Sequence, residues 1–197
     1  MSRPYTNGQE QLPPLESYLA IDCEMVGCAS GQALAKVGMV NHQCEVVLES
    51  FVYVHPQNVS DYRTSSSGIK PGDLEGAPTF EQIITQIKEI IKDKILVGHA
   101  LFNDLAAIKH RQPYESFRDT ALYLPLRQLV GVTRDGEYPS LKKLSKEVLG
   151  VDIQANGGKG HDPIEDARAT MSIFLSVRDA YETSLLRNED VPSGIPP

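Results

Sequence analysis

Apolar residues follow two rhythms along this chain. In Tyr18 to Val26, Leu34 to Val40 and Val46 to Val54, β-branched and other apolar residues gather into runs bounded by turn residues, which predicts three strands. The links between them are short, as in an antiparallel meander. From Thr79 the rhythm changes: Phe80, Ile83, Ile84, Ile87, Ile90 and Ile91 recur at helical spacing, and Thr79 and Gln82 stand three apart, as in a capping box. Such a stripe must cover a sheet face. Ile95 to Val97 then reads as a short buried strand, Asn103 as the cap of a helix from Asp104 to about His110, and Phe117 to Thr120 as another strand. Ser140 caps a helix carrying Leu141, Leu144, Val148 and Leu149, with Gly150 as its stop. A last helix has Asp162 as N-cap, Pro163 at N1 and Glu165 at N3, with Ile164, Ala167, Met171, Phe174 and Leu175 on its buried face.

Hairpin strands followed by strands that alternate with helices predict an α/β fold. The expected form is a single domain with a mixed β-sheet, an antiparallel meander plus parallel strands, flanked by helices. Residues 1–16 and 187–197 are polar and carry prolines, so they read as flexible tails around a folded unit at 17–186. The polar stretch from His55 to Pro78 is long enough to be either functional or floppy.

Composition narrows the class. The chain has 197 residues, 41% hydrophobic and 23% charged, the balance of an ordinary globular protein. No run approaches the ~20 apolar residues of a membrane span, and MSRPYTNGQEQLPP lacks the apolar core of a signal peptide. The expectation is an intracellular monomer with no membrane partner. Cys23, Cys28 and Cys44 are odd in number and form no CxxC pair, so they read as reduced, mostly buried thiols. Lys and Arg number 19 against 26 Asp and Glu, a formal charge of −7, which argues against a long electrostatic grip on duplex nucleic acid.

The candidate chemistry lies at strand ends and helix starts. Asp22 and Glu24, two apart in a strand, face the same side while Cys23 points the other way into the packing. Adjacent carboxylates repel each other unless protonated or bridged by a cation, so the pair reads either as a hard divalent cation site or as two solvated charges. Asp104 and Asp166 stand in the first turns of helices, where the helix dipole alone explains an acid; the alternative is a ligand role. His161 precedes the last helix, and both it and His99 read as loop histidines or as functional groups. The run Asn156 to Gly160, NGGKG, is no phosphate-binding loop and reads as a pivot for the His161 segment. Taken together, four acids and one base of neutral range match two-metal phosphoryl chemistry.

The chain resembles the DEDDh 3′→5′ exonucleases with an RNase H-like fold, and within them the branch of RNA exonuclease 4 and the interferon-stimulated exonucleases. The resemblance runs from about Tyr18 to Tyr181 and rests on IDCEMVG, VSDYRTSSSGI, ILVGHALFNDL, RDTALYLPLR, PSLKKLSKEVLG and GHDPIEDARATM. It implies that Asp22, Glu24, Asp104 and Asp166 hold two divalent cations, Mg²⁺ or Mn²⁺, and that His161 is the general base. It also implies that Met25, Arg63, His99 and Leu105 surround the terminal nucleotide. The implied activity is removal of 5′-mononucleotides from the free 3′ end of single-stranded RNA, in rRNA processing in the nucleus or nucleolus, with the cytoplasm as the other location. Three alternatives stand beside it: the same chemistry on single-stranded DNA, a non-catalytic nucleic-acid-binding module, and a generic acidic interaction domain. The chain departs from the branch at Asp162, Pro163 and Ile164 and at Phe102, none of them an implied ligand.

Overall fold

The structure, a computed structural model, describes residues 12–29, 31–134, 136–155, 157 and 160–187. Of the tails expected at 1–16 and 187–197, residues 1–11 and 188–197 lie outside the described residues, as do Asn156, Gly158 and Lys159 of the NGGKG run. Six strands form one mixed sheet: β1 (Tyr18–Cys28), β2 (Gly31–Asn41), β3 (Val46–Phe51), β4 (Val59–Asp61), β5 (Ile95–Gly98) and β6 (Phe117–Asp119). They run in the order β3-β2-β1-β5-β6, with β4 paired to the far end of β1. The first three strands are the expected antiparallel meander, whereas β5 joins β1 and β6 joins β5 in parallel.

Alternation along β1 divides the interior in two. Tyr18 and Ala20 face a core built with α6 (Pro163–Leu186), while Leu19, Ile21 and Cys23 face a second core closed by Ile83, Ile84 and Ile87 of α2 (Phe80–Ile90). Both faces of the central strand are thus covered by helices. The Thr79–Gln82 capping box that opens α2 is present in both directions. Helix α6 starts at Pro163, and the carboxylate of its N-cap Asp162 accepts from the Ile164 N–H. It lies so close to β2 that a Cβ on Gly38 would stand 2.7 Å from the Pro163 carbonyl carbon. That approach brings the first turn of α6 down onto the sheet.

One cap differs from the expectation. Helix α3 (Phe102–Ala107) begins before Asn103, which is exposed and caps nothing. The turn that leads into it is held from outside the segment: the buried carboxylate of Asp119, at the end of β6, accepts from the N–H groups of Ala100 and Leu101 at 2.9 and 2.8 Å. The polar stretch 55–78 is built rather than loose. It holds β4 and the single helical turn α1 (Thr64–Ser67), and its Ile69 and Leu74 bury against Val26 and Ala35. Helix α4 (Leu124–Leu129) follows β6. Ser140 caps α5 (Leu141–Leu144) as expected, and the helix continues through Leu149 as a widened π turn that stops at Gly150, φ 71°.

Of the cysteines, Cys23 is buried while Cys28 and Cys44 are half-buried, and all three are free thiols. Among the described residues, no helix is long and apolar enough to cross a membrane.

Candidate active site

The four acids come from three elements that meet at the middle of β1. Asp22 and Glu24 lie on β1 itself, Asp104 in the first turn of α3 and Asp166 in the first turn of α6. Glu24, Asp104 and Asp166 are buried, at 8%, 5% and 3% exposure. Each of Glu24, Asp166 and His161 offers a ligand atom, and the three atoms lie within 4.8 Å of one another. Asp22 and Asp104 complete the cluster: the charges of Asp104, Asp166 and Glu24 all act on the half-buried Asp22.

Burial of so many acids works against their ionisation. Burial first, then the charges of Asp104, Asp166, Glu24 and Asp162, pushes Asp22 well above the usual carboxylate range. Glu24 is pushed up to about 8 by burial and by Asp166 and Asp162, against the pull of Lys36. Asp166 is pushed up to about 6, chiefly by burial, despite the hydrogen bond from Gln154 and the neighbouring His161. Burial also raises Asp104, although its carboxylate accepts hydrogen bonds from the thiol and backbone N–H of Cys23. Cys23 therefore does more than pack: its own thiol is raised well above its ordinary value by burial and by Asp104.

The donor set fits a hard divalent cation. Oδ2 of Asp166 accepts from Nε2 of Gln154 at 2.8 Å, but Oδ1 is buried with no hydrogen-bond partner among the described residues. A bare carboxylate oxygen facing other carboxylates is costly unless a cation meets it. Carboxylate oxygens are also what hard divalent cations prefer.

His161 stands at the open side, its side chain 41% exposed, with Nδ1 3.5 Å from Oδ2 of Asp166. Two contacts with the 55–78 segment hold it there. The His161 N–H donates to the Ser66 carbonyl at 2.7 Å, and Gly160, at φ +82°, presses so closely on Gly68 that any side chain would collide with that backbone.

Lys36 is a residue the sequence reading missed. On β2 it stands opposite Glu24 in the register, with Nζ 3.0 Å from Oε1 of Glu49 and 3.4 Å from Oδ1 of Asp162. Among the described residues it is the one lysine or arginine set among these acids, and it ties the cap of α6 to the sheet. The available signal was a single lysine inside the apolar run Leu34 to Val40. Gln154 was missed as well; its left-handed φ of 57° lies in the loop before His161 and no local pattern marks it.

The remaining candidates are placed separately. Met25 and Leu105 are half-buried and join the same apolar cluster on the α2 side of the sheet. His99 follows β5, with Nδ1 2.9 Å from the Thr120 hydroxyl and Nε2 2.8 Å from the Pro139 carbonyl, so both ring nitrogens are engaged. Burial lowers it to about 4, and it is neutral at pH 7. Arg63 is exposed, with φ 51°, and donates to Oε1 of Gln32 at 3.2 Å at the turn end of the β1–β2 hairpin.

Comparison with known proteins agrees with this geometry. The sequence pattern of the exonuclease family matches residues 19–174. RNA exonuclease 4 of Mycosarcoma maydis is 47% identical over 178 residues, covering 88% of this chain and 45% of the relative. RNA exonuclease 4 of Candida glabrata is 42% identical over 180 residues, 90% of this chain and 66% of its own length. The chain thus spans about half the length of the curated relatives it matches. Among solved structures, the Saccharomyces cerevisiae Pan2 pseudoubiquitin hydrolase–RNA exonuclease module in complex with AAGGAA RNA aligns with a TM-score of 0.70 at 25% identity, over 94% of this chain and 36% of that one. The Neurospora crassa Pan2 catalytic unit, 21% identical with a TM-score of 0.69 over 96% of this chain and 32% of that one, shares the fold.

Proposed function

The chain belongs to the exonuclease family, with Asp22, Glu24, Asp104, Asp166 and His161 in the DEDDh pattern, and we propose that it is a metal-dependent 3′→5′ exoribonuclease acting on single-stranded RNA. The observation that carries this reading is the convergence of Glu24, Asp166 and His161 within 4.8 Å, with one oxygen of Asp166 left unpartnered.

In this reading Asp22, Glu24, Asp104 and Asp166 hold two divalent cations, Mg²⁺ or Mn²⁺. When bound, such ions neutralise the scissile phosphate and acidify the attacking water. His161 receives the proton. Its Nδ1 is turned toward Asp166, so Nε2 accepts from the water, and the imidazole must be neutral to do so. Met25 and Leu105 offer an apolar surface to the terminal base, Arg63 approaches the ribose, and His99 braces the loop that leads into α3. Hydrolysis at the last phosphodiester releases a 5′-mononucleotide and leaves a new 3′-hydroxyl. The setting that the family resemblance suggests is rRNA processing in the nucleolus.

The test is digestion of one RNA sequence with a 3′-hydroxyl, the same RNA with a blocked 3′ end, and the matching DNA, each with and without Mn²⁺. The reading requires 5′-mononucleotides from the open RNA alone, and only with metal. Equal digestion of blocked RNA refutes it, and faster digestion of the DNA moves the substrate class to single-stranded DNA.

A further inference from the structure

The two carboxylate oxygens of Asp166 have different surroundings. Oδ2 accepts from Nε2 of Gln154 at 2.8 Å and lies 3.5 Å from Nδ1 of His161, whereas Oδ1 is buried with no hydrogen-bond partner among the described residues. A carboxylate turns about its last torsion over a broad, two-fold profile, and that turn exchanges its oxygens. The Gln154 amide therefore fixes which of the two is left bare.

Gln154 reaches Asp166 from a costly backbone conformation. Its φ of 57° is left-handed, a region that residues other than Gly, Asn and Asp seldom adopt. Its own N–H donates to Oε2 of Glu165 at 2.9 Å, and Ile153 beside it is 4% exposed in the core built with α6. Those two contacts already fasten this segment to α6, so the side-chain contact with Asp166 is not needed to hold it there. The donor is also neutral. A lysine or arginine in its place would set a positive charge against an incoming cation, whereas an amide holds the oxygen and leaves the negative charge of the acids undiminished.

We propose that Gln154 is a positioning residue for the candidate cation site: it holds Oδ2 of Asp166 so that Oδ1 stays free for the metal, and it thereby sets the affinity of the site for a divalent cation. Hydrogen-bond partners behind a ligating group have this effect in metal sites generally, because they orient the ligand before the metal arrives. The inference rests on the metal-dependent reading and deepens it, by adding a residue that acts through Asp166.

The test uses Gln154→Met, which keeps the length and the backbone N–H but removes the donor, and Gln154→Ala, which removes the side chain beyond Cβ. Each is compared with the wild type in metal-free thermal unfolding, in Mn²⁺ binding followed by the electron paramagnetic resonance signal of free Mn²⁺, and in steady-state kinetics on a 3′-hydroxyl RNA over a series of Mn²⁺ concentrations. The Mn²⁺ Kd is expected to rise about 10–100-fold in both variants. Turnover should fall most at limiting Mn²⁺, while KM for RNA at saturating Mn²⁺ and the metal-free melting temperature of Gln154→Met stay at their wild-type values. Wild-type Mn²⁺ affinity in either variant, with or without a lower metal-free melting temperature, makes the contact merely structural and overturns the inference while leaving the exonuclease standing. A wild type that binds no Mn²⁺ and degrades no RNA overturns both.

Discussion

The buried acids make a prediction that needs no substrate. In the metal-free chain, Glu24 holds its proton up to about pH 8, whereas in the unfolded chain it releases that proton near 4.5. Below pH 4.5 the group is protonated in both states and contributes nothing. As pH rises from 4.5 to 8 the unfolded chain gives up a proton that the folded chain keeps, so stability falls. At about 1.36 kcal/mol for each tenfold change, the gap from 4.5 to about 8 amounts to roughly 5 kcal/mol at pH 8. That is a large share of the ~5–15 kcal/mol that holds a typical domain together. Glu24→Gln keeps the shape and removes the charge. In urea unfolding with EDTA, the wild type should lose stability between pH 5 and pH 8, and Glu24→Gln should be the more stable protein at pH 8 by several kcal/mol. Mn²⁺ should stabilise the wild type strongly and the variant far less, because a ligand that binds only the folded state raises its stability by mass action. If Glu24→Gln is less stable than the wild type at pH 8 without metal, the acids are not forced together and the electrostatic account of the site fails.

Other expectations follow from single contacts. His161→Gln should lower kcat by about 10²–10⁴-fold while metal still stabilises the fold, as read by steady-state kinetics and thermal shift. Glu182→Ala should cost about 3–5 kcal/mol in urea unfolding, because Arg118, fully buried and 2.7 Å from both Glu182 oxygens, loses its counter-charge. His99, held near 4 against an unfolded value of 6.5, stays neutral while the unfolded chain protonates. The contribution of His99 to stability should therefore fall as pH drops from 6.5 to 4, opposing the gain from the buried acids, and the stability difference between His99→Gln and the wild type should shift in favour of the variant across that window in a pH series of unfolding midpoints. Gly160→Ala should depress kcat and the melting temperature together, since the new methyl meets Gly68 and displaces the His161 segment.

Much of this site was legible in the chain because its signals are local. Asp162 followed by Pro163 marks the start of α6, Thr79 with Gln82 marks α2, and the alternation through Ile21, Asp22, Cys23 and Glu24 sets which face the acids share. What escaped depends on partners distant in sequence. Asn103 looked like the cap of α3 because it is the right residue at the right place, yet the helix begins one residue earlier, and the turn before it is held by Asp119, on another strand, which accepts from the Ala100 and Leu101 N–H groups. Lys36 acquires its meaning only when the β1–β2 register sets it against Glu24. The 55–78 segment was ambiguous as a polar stretch, and its role appears once the Ser66 carbonyl is seen to hold the His161 N–H. The buried triad of Tyr18, Arg118 and Glu182 pins α6 to β1 and β6 through residues 64 and 164 positions apart, a range no local pattern spans.

The central claim is that the acid cluster is a divalent-cation site performing hydrolysis from the 3′ end. It is met most directly by following one 5′-labelled RNA over time with the wild type in Mn²⁺, with the wild type in EDTA, and with Asp22→Asn in Mn²⁺. The account predicts a ladder that shortens from the 3′ end one nucleotide at a time in the first reaction and intact RNA in the other two. Internal fragments, or a ladder that persists in EDTA or with Asp22→Asn, would contradict it.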